Sequence, residues 1–231
     1  MVRLFTSTLG RKFIMAFTGG ALFLFAVGHM VGNLQYFLGA EALNRYGHFL
    51  QSNAEILWPA RIGLLLMVSL HVWSAISLSR ENKAARPVQY ANWQPNSASY
   101  ASRTMLMSGL IVSAFIIYHL LHYTVKVKAA NFTGQDFNSL ADAEGHHDIY
   151  AMVRIGFSQP LVVLFYVVSV GLLCLHLSHG VSAMFQSLGL KNHNYGPLID
   201  KAAKVIALGL FVGYIAVPVA VLFTQCGGCC K

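Results

Sequence analysis

Apolar residues in this chain run in long stretches instead of alternating with polar ones. Five stretches stand out, at about 13–37, 57–79, 103–125, 159–188 and 203–224. About 20 apolar residues at about 1.5 Å rise per residue cross the roughly 30 Å of hydrocarbon in a bilayer. The pattern predicts an all-α fold, an integral membrane bundle of five transmembrane helices forming a single domain over residues 1–231. Gly19, Gly20 and Pro218 fall inside these stretches without ending them, since both residue types are frequent in membrane helices. Between the first two, Leu43, Tyr46 and Leu50 recur at helical spacing and predict a short interfacial helix on the outer surface. Segment 84–101, broken by Pro87 and Pro95, reads as an inner loop; 126–157 is the longest polar connection, on the outside; 192–200, with Gly196 and Pro197, reads as a short inner turn. No tandem repeat is evident.

Composition agrees with the membrane reading: 56% of the 231 residues are hydrophobic and 10% charged, against about 25% charged in a soluble domain. Arg11 and Lys12 precede an apolar stretch longer than a signal h-region, with no small-residue cleavage site after it, so the first span is expected to be retained. With the N-terminus cytoplasmic, the inner segments carry ten basic residues and two acids, a net +8. The outer segments carry six of each and are neutral. The positive-inside rule therefore predicts N-terminus in and C-terminus out, in a bacterial inner membrane. The inner charge suits anionic lipid and a docking surface for soluble partners. Nothing in the pattern points to nucleic acid. Cys174 lies in the fourth span, and the tail CGGCC, with Cys226, Cys229 and Cys230, is a single C-x-x-C without a second ligand pair and is assigned no function.

Against this apolar background, His29, His71, His119 and His176 each sit in a different span. A strongly coordinating side chain in hydrocarbon is costly unless partnered, so each is a functional candidate. His29 lies 17 residues past Lys12 and His119 lies 16 past Arg103, both roughly 25 Å along outward-running helices. His71, nine residues before Arg80, and His176, ten before Gln186, lie on the inner side of inward-running helices. Depth pairs His29 with His119 toward the outside and His71 with His176 toward the inside.

Two bis-histidine sites bridging helices are what two b-type haems require, and filled axial positions suit electron transfer better than ligand chemistry. Gly32 and Gly180, three and four residues past His29 and His176, leave room for a flat ring on the ligand faces. His122 and His179, each three residues beyond a proposed ligand, are alternative ligands or candidates for a haem propionate or quinone contact. Spacing favours His119 and His176 as ligands. His48, His146, His147 and His193 read as solvated loop residues. Zinc or copper is the rival metal, but such sites normally add cysteine, carboxylate or a third histidine, and no predicted span contains an acid.

At GHMVGN (28–33), ALNRYGHFL (42–50), HVWSAISLSRENKAARPVQY (71–90), a histidine ten residues after Gly109, and HLSHGVSAMFQSLGL (176–190), the chain resembles the cytochrome b subunit of succinate:quinone oxidoreductases, the succinate dehydrogenase and fumarate reductase family, in its five-helix dihaem b558 form. The resemblance covers nearly the whole chain. It implies two haem b groups, a flavoprotein and an iron–sulfur subunit on the cytoplasmic face, and electron exchange with a quinone, menaquinone more than ubiquinone. It carries the axial ligands onto His29 and His119 for the outer haem and His71 and His176 for the inner, choosing His119 over His122 and His176 over His179. Some members have a glutamate two residues before the fourth-helix ligand; Cys174 stands there, which puts proton transfer through that helix in doubt. Proton exchange would then fall to His122, His179 or loop groups such as Glu55. The chain has no dinucleotide fingerprint and no iron–sulfur cysteine array, so it would be an enzyme subunit without the catalytic head. The alternatives are a cytochrome b of a formate dehydrogenase or hydrogenase and a non-redox transporter.

Overall fold

The computed structural model describes residues 2–85, 88 and 99–226. It is 83% helical, with no β-strand among the described residues. In chain order the helices are α1 (Val2–Thr6), α2 (Thr8–Leu34), α3 (Ala40–Ser52), α4 (Ala54–Ala84), α5 (Tyr100–Arg103), α6 (Met105–His119), α7 (Ile149–Gly156), α8 (Pro160–Ser187) and α9 (Gly196–Cys226). Five of these, α2, α4, α6, α8 and α9, are long and apolar enough to cross a membrane, as the hydrophobic stretches predict. Pro87, Pro95, Cys229 and Cys230 lie outside the described residues.

The expectations fail mainly at the ends of elements. The turn foreseen at 192–200 is shorter, because α9 begins at Gly196. Pro197 sits in its first turn, where a missing N–H costs no helical bond. The Asn192 side chain accepts from the amides of Asn194 and Tyr195 at 3.0 and 2.9 Å and starts the helix. The 126–157 connection holds a further helix, α7, capped by Asp148, whose carboxylate accepts from the Ala151 amide at 2.9 Å. The helix expected between the first two spans is present as α3, with Leu43, Asn44 and Gly47 buried. Asn44 is buried because it is fully engaged, donating to Asp148 Oδ1 at 3.0 Å and accepting from the Tyr150 amide at 2.9 Å.

The chain divides into two compact units, and the division falls within each of the five long helices. The first comprises Met1–Ala26, Arg61–Leu110 and Leu175–Ala207. Within it, Arg11 pairs with Glu81, joining α2 to α4, and also donates to the Phe5 and Thr6 carbonyls at 3.0 and 2.7 Å. Lys191 Nζ donates to Ser182 Oγ and Asp200 Oδ1 at 2.9 and 2.7 Å, tying α8 through the turn to α9.

The second unit comprises Val27–Ala60, Ile111–Cys174 and Leu208–Lys231. Here α3 meets α7 so closely that a Cβ on Gly47 would overlap the Ile149 side chain. Tyr36 stacks on Tyr150, with centroids 4.8 Å apart. The chain after α6 widens into a π-turn over Leu120–Thr124, closed by Val125 N–H to the Leu120 carbonyl at 2.7 Å, and then breaks at Lys126, which adopts φ 60. From there the connection folds back and inserts Phe137, wholly buried, against His122 and Tyr123.

Candidate functional site

In the first unit, His71 of α4 and His176 of α8 face each other edge to face, with ring centroids 6.3 Å apart and planes at 67°. His71 Nδ1 lies 3.1 Å from Thr18 Oγ1. The Thr18 hydroxyl proton is committed to the Ile14 carbonyl at 2.7 Å, so toward the imidazole Thr18 can only accept. His176 repeats the arrangement: its Nδ1 lies 3.3 Å from Ser108 Oγ, which donates to the Met105 carbonyl at 3.1 Å. The Met15 and Met105 carbonyls are further partners of His71 and His176, and a carbonyl can only accept. Both rings therefore carry their proton on Nδ1 and keep the Nε2 lone pair for a metal.

Glycine completes the setting. A Cβ on Gly19 would lie 3.1 Å from His71 Cε1, and one on Gly109 would lie 3.3 Å from His176 Cε1. Helix α2 thus offers Met15, Thr18 and Gly19 to one histidine, and α6 offers Met105, Ser108 and Gly109 to the other, in the same spacing M-x-x-[ST]-G. His29 and His119 follow these glycines by ten residues each. Between the first and last of these positions only Phe25 and Phe115 also match at the same offset, too few to read as a repeat.

The glycines singled out from spacing differ in their surroundings. The room at Gly32 is taken by the Tyr46 ring, whose hydroxyl would lie 3.0 Å from an added Cβ, and at Gly180 the nearest atom is Met105 Cε at 3.9 Å. Ser74, one turn past His71, is wholly buried with its hydroxyl unpartnered. His179, one turn past His176, is half-buried within electrostatic reach of Lys191 and Asp200.

In the second unit, His29 of α2 and His119 of α6 have ring centroids 5.8 Å apart with planes at 79°, and Tyr214 of α9 stands 6.3 Å from His29. His119 Nδ1 lies 3.4 Å from the Tyr166 hydroxyl, and the same oxygen lies 3.0 Å from His122 Nδ1. His122 is wholly buried among Tyr118, Tyr123, Phe137, Phe157 and Tyr166, and its Nε2 has no hydrogen-bond partner. It sits behind a ligand candidate rather than at an open rim. Tyr166 and Phe137 were not foreseen; a tyrosine in an apolar helix and a phenylalanine in a polar connection carry no pattern of their own.

A metal held between two imidazoles, each bonded through nitrogen at about 2 Å, would need ring centroids about 6 Å apart. The two pairs, at 6.3 and 5.8 Å, fit that spacing. Among the described residues no three His, Cys, Asp or Glu side chains come together as a metal-binding group. Of the histidines read as solvated, His48 and His193 are exposed, whereas His146, stacked on His48 at 3.7 Å, and His147, with Nδ1 3.2 Å from the Leu140 carbonyl, are half-buried. Comparison of the chain with protein-family models, with curated proteins and with solved structures finds no match.

Proposed function

We propose that this chain is the membrane anchor and dihaem cytochrome b subunit of a succinate:quinone oxidoreductase, passing electrons between an iron–sulfur subunit on the cytoplasmic face and a membrane quinone, menaquinone rather than ubiquinone. The observation that carries the reading is the pairing of four span histidines, 6.3 and 5.8 Å apart by centroid, with three of the four Nδ1 atoms beside a hydroxyl. His71 and His176 would hold one haem b and His29 and His119 the other. Each haem, when bound, would supply a one-electron carrier.

The chain's own groups do the rest. Thr18 and Ser108 orient the two imidazoles and raise their basicity by accepting from Nδ1–H. Gly19 and Gly109 leave those rings space that any side chain would take. The cytoplasmic basic segments would dock the flavoprotein and iron–sulfur partners, which hold the succinate chemistry. The ENKAARPVQY and HLSHG blocks favour this reading over a formate dehydrogenase or hydrogenase cytochrome, and the pairing of the span histidines favours it over a transporter.

The test is purification of the complex followed by a pyridine haemochrome assay and identification of its subunits. The expected result is two haem b per chain with a flavoprotein and an iron–sulfur protein. One haem or none would sink the paired-ligand model. Two haems with a molybdenum or nickel–iron partner would move the chain to the rival redox family.

A further inference from the structure

Among the described residues, the Tyr166 hydroxyl is within hydrogen-bond distance of both His119 and His122. Its oxygen lies 3.4 Å from His119 Nδ1 and 3.0 Å from His122 Nδ1. The phenol has one proton and, among the described residues, these two nitrogens as its hydrogen-bond partners, so that proton is satisfied only when one imidazole accepts it and the other donates to the oxygen. The choice is forced once His119 binds a metal through Nε2, because its proton must then lie on Nδ1. His119 Nδ1–H donates to the Tyr166 oxygen, the Tyr166 hydroxyl donates to His122 Nδ1, and His122 carries its proton on Nε2.

We propose that Tyr166 is a positioning residue for the His29–His119 centre, and that through it the buried His122 sets the donor strength of a ligand it does not itself bond. The proposal rests on the reading of His119 as a haem ligand. A phenol that is itself donating is a better acceptor than one that is not, since hydrogen bonds in a chain polarise one another. A better acceptor at Nδ1–H makes the imidazole more electron-rich, which favours the oxidised metal. His122 is held for this role on every side: Tyr123 stacks on it at 4.0 Å, Phe137 covers it at 5.8 Å, and the π-turn widens the helix at its own position. π-turns recur at functional sites for this reason, since they re-aim side chains without ending the helix.

The alternative role for Tyr166 is packing, its ring lying 5.1 Å from Phe115 and 4.9 Å from Phe157. Tyr166→Phe separates the two because it keeps the ring and removes only the oxygen. The experiment is a potentiometric titration of the haem α-bands in the purified complex at one pH, with electron paramagnetic resonance of the oxidised low-spin signals. Loss of one component in His119→Ala identifies which signal belongs to that centre. In Tyr166→Phe the midpoint of that component is expected to rise and its resonance to shift, with the other component unmoved. His122→Leu should shift it in the same direction by less, and His122→Asn, whose amide oxygen stands where Nδ1 stood, should stay near wild type.

Two haems present with neither midpoint moved in Tyr166→Phe, or both moved equally, would overturn the proposal. If Tyr166→Phe does not assemble, the His122 pair decides: a shift in the Leu variant alone supports it, and identical behaviour of Leu and Asn overturns it. A wild-type complex without two haems is a different failure, that of the function beneath.

Discussion

The two histidine pairs present the same side chain and hold it in different ways. At His71 and His176 each Nδ1 meets a small hydroxyl whose own proton is committed to a carbonyl of the same helix. That acceptor is fixed by local backbone and depends on nothing further away. At His119 the acceptor is a phenol on another helix, shared with a second, buried imidazole. The first arrangement locks a tautomer locally; the second couples the hydrogen bond of His119 to a neighbouring imidazole. A chain with two similar centres can set them apart in this way without changing any ligand.

The sharpest way to break the comparison is to remove ligands. His71→Ala and His176→Ala should each abolish the same haem component, and His29→Ala and His119→Ala the other, read as loss of half the pyridine haemochrome signal with one α-band retained. If His71→Ala and His119→Ala removed the same component, the pairing would be wrong.

A weaker perturbation sharpens it. Thr18→Val keeps the shape of the side chain but leaves His71 Nδ1–H only the Met15 carbonyl as acceptor. Loss of such a second-shell partner typically costs about 10–100-fold in metal affinity. Haem should therefore be retained less tightly at that centre alone on washing with apomyoglobin, with Thr18→Ser near wild type and Ser108→Ala matching Thr18→Val. Equal loss at both centres would mean that the hydroxyl acts on the bundle rather than on its histidine.

The spans and the four histidines were readable from sequence because a bilayer imposes length and excludes partnerless polar groups, two constraints that act residue by residue. The pairing was readable from depth. The supporting groups were not. Thr18, Ser108, Gly19 and Gly109 matter only through which face of their helix they share with a histidine on another, and Gly32 and Gly180 were more prominent because they lie near histidines in sequence. Tyr166 is brought to His119 and His122 by tertiary packing alone. Helix α7 was missed because its eight residues are nucleated by the Asp148 cap and held by Asn44 of α3, a contact 104 residues apart.

That contact supplies the next test. Asn44→Ala would strip both the Asp148 carboxylate and the Tyr150 amide of a buried partner, at about 1–3 kcal/mol. Thermal unfolding should drop accordingly, and because α3 and α7 belong to the unit with the shared phenol, the His29–His119 component should be released before the other. Simultaneous release would show that this scaffold does not discriminate between the centres.

The smallest effect concerns the connection that covers His122. His147 lies in it with Nδ1–H donated to the Leu140 carbonyl at 3.2 Å and Nε2 buried without a partner. Burial, with the Lys126 charge second, lowers its pKa from 6.5, while the Leu140 bond and Asp148 act the other way. A histidine whose folded pKa lies below its unfolded value takes up its proton first in the opened connection, so the closed form is favoured fully above pH 6.5 and loses ground as the pH falls below it. Hydrogen exchange at the Asp148 amide, bonded to the Leu140 carbonyl at 3.2 Å, reads this opening directly. After correction for intrinsic rates, protection should decline on acidification in the wild type. His147→Asn keeps a donor where Nδ1–H stood and removes the titration, so its protection should be flat over the same range while His146 and Glu144 remain in place. A decline of equal size in the variant would assign the acid sensitivity to those neighbours and leave the cover over His122 indifferent to pH.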